Sequence, residues 1–272
     1  MNIKKPLILL LAALPTFAYA VEDEPSSTQN LSYIPFVNLG YQRMNIDSDF
    51  GGVGVTKPIY TLGLGVGSED IAFSVSFTST YGDDSDDIND VMGDVEPDRK
   101  EIDFSVSVPI NEHFSLFTGY LISDTELSSD SVLPLLDNLY PALGTGVGTY
   151  TQTIEENGLY AGAVYKYRLG SGQIAASLAY ASQQMEMDDN SDAFALSSEG
   201  TTKGISLGLK WTSLITHKLG YTVSLNSKRY TTNSNTEFNE AVVGSLFPEA
   251  NSDSLDGDWF NTTLSAGFLY IF

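Results

Sequence analysis

Thr262-Thr263-Leu264-Ser265-Ala266-Gly267-Phe268-Leu269-Tyr270-Ile271-Phe272 closes the chain. Leu264, Ala266, Phe268, Tyr270 and Phe272 fall on one face of this stretch. Thr263, Ser265, Gly267, Leu269 and Ile271 fall on the other. A period of two belongs to a β-strand and not to a helix. Nine segments upstream alternate in the same manner, at about Tyr33–Met44, Pro58–Gly67, Ile71–Tyr81, Glu101–Val108, Phe114–Ser123, Leu159–Arg168, Ile174–Gln183, Lys203–Thr212 and Leu219–Tyr230. In the second of these, Tyr60, Leu62, Leu64 and Val66 stand opposite Thr61, Gly63, Gly65 and Gly67. Phe114–Ser123 is apolar, and its facing stays open. Each segment has about the length that crosses a bilayer when tilted.

The connections fall into two classes. Ser68–Asp70, Pro109–His113, Leu169–Gly172 and Ser213–Lys218 are short. Asn45–Lys57, Gly82–Lys100, Asp124–Gly158, Gln184–Thr202 and Thr231–Asp258 are long, and the two classes alternate along the chain. A soluble sandwich accounts for the strands but not for this alternation. The expected fold is all-β: a transmembrane antiparallel up-and-down barrel of ten strands, or twelve if Asp124–Gly158 holds a further hairpin. Short turns are expected on the periplasmic side with both termini, and long loops on the extracellular side. Strands in lipid must pair every backbone group, so the sheet must close. Tyr41, Tyr60, Tyr81 and Tyr180 are expected near one interface. Tyr167, Trp211, Tyr221, Tyr270 and Phe272 are expected near the other.

The first residues read as targeting and not as fold. Lys4 and Lys5 precede an apolar run from Pro6 to Leu14, and Ala18-Tyr19-Ala20 is a small-x-small cleavage site. The expected organisation is a signal peptide at 1–20, a periplasmic N-terminal segment at 21–31 and an outer-membrane barrel at 32–272. The whole chain carries 13 Lys and Arg against 35 Asp and Glu. The leader takes two of the cations and no acid, so the mature charge is −24. That balance argues against nucleic acid as a partner. With no Cys, an exported chain has no disulfide framework.

Signal peptide, alternating strands, unequal loops and an aromatic terminus together resemble the superfamily of small Gram-negative outer-membrane β-barrel proteins. The resemblance covers the mature chain. It implies that Phe268, Tyr270 and Phe272 act as a C-terminal β-signal for the barrel assembly machinery. It also implies outer-membrane lipid and lipopolysaccharide as surroundings. Omptin-type proteases are similar in strand count and loop pattern. Their catalytic residues have no matching positions here, since His113 and His217 both fall in predicted periplasmic turns. Gly144-Thr145-Gly146-Val147-Gly148 lacks the Lys and the strand–loop–helix setting of a phosphate loop. No enzyme activity and no cofactor or metal is expected.

On this register Lys166, Arg168, Lys210 and Lys228 point into the lumen of an otherwise acidic protein. Asp103 and Glu101 are their expected partners, and Asp103 joins the four cations as a lumen-lining candidate. The inward face is otherwise rich in Gly, Ser, Ala and Thr. The expected function is therefore a narrow porin-like channel for a small polar solute. The alternative is surface adhesion or recognition through acidic extracellular loops, and the weaker alternative is a hydrolase. Asp83, Asp84, Asp86, Asp87, Asp90, Asp94, Glu96 and Asp98 make one acidic loop. Glu186, Asp188, Asp189 and Asp192 mark another. Both read as solvated surface, because the first lacks the Gly and closing Glu of a calcium loop. Two loops also carry apolar clusters, Val132–Ala142 and Ala241–Pro248. Leu135, Leu139, Tyr140, Leu246 and Phe247 are the candidates to cap the mouth.

Overall fold

Side chains of alternating character force a choice on this chain: the apolar set needs one medium and the small polar set another. A closed sheet satisfies both. In the computed structural model, ten strands form a closed antiparallel barrel. They are β3 (Ser32–Ser48), β4 (Gly51–Gly67), β5 (Ala72–Thr80), β6 (Val95–Pro109), β7 (Phe114–Ser129), β8 (Tyr150–Leu169), β9 (Gly172–Ser191), β10 (Ala195–Leu214), β11 (Leu219–Glu237) and β12 (Leu255–Tyr270). Each pairs with its neighbour in sequence, and β12 closes on β3. The structure describes residues 7–9, 17–19, 31–48, 51–82, 95–129, 150–191, 195–237 and 255–272. Two further strands, β1 (Leu7–Leu9) and β2 (Phe17–Tyr19), pair with each other in a separate two-stranded sheet, within the segment read as a leader.

The barrel has a turn end and a loop end. At the turn end, side chains stand in for missing backbone partners. Asn111 Oδ1 accepts from the N–H groups of His113 and Phe114, each at 2.9 Å. Thr216 Oγ1 accepts from Lys218 N–H at 3.3 Å and Leu219 N–H at 3.0 Å. Gly170, at φ +59°, makes the tight β8–β9 turn. The C-terminus is zipped in at the same end. Ile271 N–H donates to Lys218 C=O at 2.8 Å, and Phe272 N–H donates to Tyr33 C=O at 3.1 Å.

The register follows the alternation. Val37, Leu39, Tyr41, Leu62, Leu64 and their counterparts around the barrel face outward and are exposed. Phe114–Ser123 resolves into outward Leu116, Tyr120 and Ile122 and inward Ser115, Phe117 and Leu121. The strands, however, are longer than expected at the loop end. Asn45–Lys57 is not a long loop: β3 runs to Ser48 and β4 starts at Gly51. Gln184–Thr202 is likewise almost all strand, so Glu186, Asp188 and Asp189 stand on β9. Arg99 and Glu156, expected in loops, stand on β6 and β8. β5 is the exception. It ends at Thr80 while β4 and β6 continue past it.

Candidate functional site

The lumen is packed in three successive zones. Nearest the turn end, Ile34, Phe36, Phe117, Val164, Leu269 and Ile271 form an apolar plug. Gly63 makes room for it, because a Cβ there would collide with the Phe36 ring. Phe117 packs against Tyr160 with ring centroids 6.1 Å apart. The small inward residues of the neighbouring strands are thus the floor on which large rings rest.

Across the middle of the lumen runs a network of charges. Arg99 Nη2 lies 3.3 Å from Glu156 Oε2 and 3.4 Å from Glu101 Oε2. Lys228 Nζ reaches Glu101 Oε1 at 3.4 Å. Thr125 accepts from Arg99 Nη1 at 2.6 Å, and the Ser123 hydroxyl donates to Glu156 at 3.1 Å. Tyr160 donates to Asp103 Oδ1 at 2.7 Å. Arg99, Glu101, Asp103 and Glu156 are all buried. Charges taken out of water must be paired to persist, and these bond to one another and to hydroxyls. A cavity of about 70 Å³ remains beside them, lined in part by Lys210, Lys228, Asn38, Gln42 and Asn226. By volume it holds roughly five waters.

Above the network the lining turns apolar again. Leu127, Ile154 and Met185 pack with Met187 and Trp259. Met44 and Val55, paired across β3 and β4, are buried at the same end. Outward side chains at this level are polar: Ser182, Gln184, Glu186 and Asp188 on β9, and Thr201 and Glu199 on β10, all exposed. Asp258 and Arg229 also face out here, 2.8 Å apart. The hydrogen bond from Arg229, and a second from Thr231, hold the Asp258 carboxyl below the usual carboxylate range.

The five lumen candidates are not brought together into one site. Lys228 joins the network through Glu101. Asp103 is held by Tyr160 and not by a cation. Lys166 donates to Ser115 at 2.9 Å, several residues nearer the turn end, and not to Asp103 or Glu101. Lys210 borders the cavity. Arg168 has the inward phase, but it lies beyond the last packed zone and is exposed at the turn end. Arg99, Glu156, Tyr160 and Tyr230 were not singled out from sequence, and they form much of the lumen's core. The capping candidates Leu135, Leu139, Tyr140, Leu246 and Phe247 lie outside the described residues. Phe268, Tyr270 and Phe272 share the outward face of the closing strand and its end, with the last two rings 4.9 Å apart. His113 and His217 are both exposed at the turn end.

No protein-family model and no curated protein matches this chain. Solved structures do. The outer-membrane protease OmpT of Escherichia coli superposes with a TM-score of 0.63 at 12% identity, covering 92% of this chain and 99% of that one. This chain has the fold of a Gram-negative outer-membrane β-barrel. Barrels of other kinds also match more loosely. The attachment invasion locus protein Ail of Yersinia pestis gives a TM-score of 0.32 at 9% identity, with 87% of this chain and 98% of that one covered. Neisserial surface protein A gives 0.34 at 11% identity, with 88% and 97% covered. These neighbours include a protease and proteins of other kinds, so the likeness carries the architecture of this outer-membrane barrel and not its activity.

Proposed function

We propose that this protein is a closed barrel that acts as a surface recognition or adhesion protein through its loop-end extension, with the turn end and both barrel termini in the periplasm. The observation that carries the reading is the filled lumen. Among the described residues, apolar plug, charge network and apolar outer zone succeed one another along the lumen, with a cavity of about 70 Å³ beside the network. Backbone ladders continue past the apolar band and present polar side chains outward on most strands. Extended, solvated strands are a rigid platform for contacts. A hydrolase at this end would have only carboxylates for its base among the described residues, since both histidines lie at the other end.

The narrow channel for a small polar solute is the second reading, favoured by the cationic lining of Lys210 and Lys228 around the cavity. It requires Phe36, Phe117 and Ile271 to leave the path. Conductance separates the two. Residues 21–272 refolded into planar bilayers are expected to stay silent, with folding confirmed by heat-modifiable gel mobility. Steady, ion-selective current steps overturn the closed-barrel reading in favour of the channel. Orientation has its own test, because the chain has no Cys of its own. On intact cells a membrane-impermeant maleimide is expected to label Glu186→Cys and to spare Glu112→Cys. The reverse pattern inverts the barrel.

A further inference from the structure

We propose that the lumen cavity is a binding site for one small monovalent inorganic anion, of the size of chloride or nitrate, held between Lys210 and Lys228. The register builds the site. Gly208 on β10 stands opposite Asn226 on β11, Asn226 opposite Thr263 on β12, and Thr263 opposite Gln42 on β3. One rung of the sheet thus sets two side-chain amides and a hydroxyl side by side on the cavity wall, next to a glycine that leaves room. Lys228 lies two residues further along β11. Lys210 stands opposite Ser224, two residues the other way. The two ammonium stems are therefore rooted about 7 Å above and below the rung. Arg99 lines the same cavity from β6, across the barrel.

The cavity is short of negative charge. Its described lining carries three cations, Arg99, Lys210 and Lys228, and one carboxylate, Glu101. Glu101 already serves Arg99 and Lys228, each at 3.4 Å. Through the packed zones, the described inward side chains bring five cations, Lys57, Arg99, Lys166, Lys210 and Lys228. Three carboxylates, Glu101, Asp103 and Glu156, stand against them. The chain as a whole has 35 acids against 13 Lys and Arg, so its interior reverses the sign of the protein. Positive charge taken out of water calls for a counter-charge, the more so in a lumen of low dielectric. Donors at the cavity point the same way. Arg99 Nε is buried without a hydrogen-bond partner. Asn38 Oδ1 accepts from Thr222 at 3.0 Å, which leaves the Asn38 amide N–H groups to the cavity it lines. An anion accepts from all of these at once, while a water must also find acceptors. At about 70 Å³ the cavity takes an ion of a few atoms with some of its water.

The full chain is refolded in neutral detergent with sodium gluconate, which is then replaced stepwise by sodium chloride at fixed ionic strength. The urea midpoint of the wild type is expected to rise with chloride as the site fills. Lys210→Gln is expected to need about tenfold or more chloride for the same rise. Lys203→Gln, which removes an exposed outward cation, should follow the wild type. Equal chloride dependence in wild type and Lys210→Gln overturns the proposal. So does a wild-type midpoint that ignores chloride, which leaves the cavity to water alone. Should Lys210→Gln fail to shift on a heat-modifiable gel, Asn226→Ala is read instead, with about a threefold loss of chloride affinity expected. A second readout locates the ion. Crystals grown in bromide are expected to show an anomalous peak within hydrogen-bond reach of Asn226, and peaks confined to outward cations overturn the assignment.

Discussion

β9 is one uninterrupted strand with two halves that obey opposite rules. From Ile174 to Tyr180 its outward residues are Ile174, Ala176, Leu178 and Tyr180, and its inward ones are Ala175, Ser177 and Ala179. From Ser182 onward the outward residues are Ser182, Gln184, Glu186 and Asp188, and the inward ones include Met185 and Met187. The period never changes; the apolar phase moves over by one residue. Below the switch the sheet meets hydrocarbon and keeps its small side chains inside. Above it the sheet meets water and builds a conventional apolar interior with Leu127, Ile154 and Trp259. The same backbone ladder therefore serves as a membrane protein and, a few residues later, as a soluble one. The charge network of Arg99, Glu101, Glu156 and Lys228 sits between the two regimes.

Five substitutions probe that contrast. Arg99→Met at the junction is expected to cost about 3–5 kcal/mol in urea unfolding followed by tryptophan fluorescence, because Glu101 and Glu156 lose their shared partner. Adding Glu156→Gln should return part of it; a single variant as stable as wild type would break the claim that the junction is a coupled network. Met185→Ala should cost about 2–5 kcal/mol by the same titration if the upper half owns a true core. A loss near zero would mean that this end is packed no better than surface. Leu207→Arg, in the outward apolar band of β10, is expected to lose about 2–4 kcal/mol in lipid. Thr201→Arg lies on the same face of the same strand but above the band, and should change stability by no more than about 0.5 kcal/mol. Equal penalties at 207 and 201 would put the whole strand in the membrane.

Much of the barrel was legible because lipid imposes a strong code. Wherever β-strand alternation pairs Leu, Phe and Tyr with Gly, Ser and Thr, the strand and its facing follow, as in Pro58–Gly67. The same code hid the upper half. Met185-Glu186-Met187-Asp188 alternates perfectly well, but on the opposite phase, so Gln184–Thr202 reads as loop. Arg99 and Glu156 were lost for that reason, and with them the true partners of the lumen charges. Looking for a second alternation shifted by one residue recovers them. Arg168 failed differently: its phase is right, but alternation does not say where packing ends. The large rings of the plug were visible as residues, while their convergence depends on closure and stagger, which no local pattern encodes.

The unbroken pairing of β9 with β10 runs from Ser213↔Gly172 to Ala195↔Asn190. Mechanically, this makes the rim and the anchor a single stiff girder. A pull on the tip loads the hydrogen bonds in shear, many at once, and does not peel them singly. The polar collar above the apolar band resists being drawn down, and the aromatic ring at the turn end resists being drawn up.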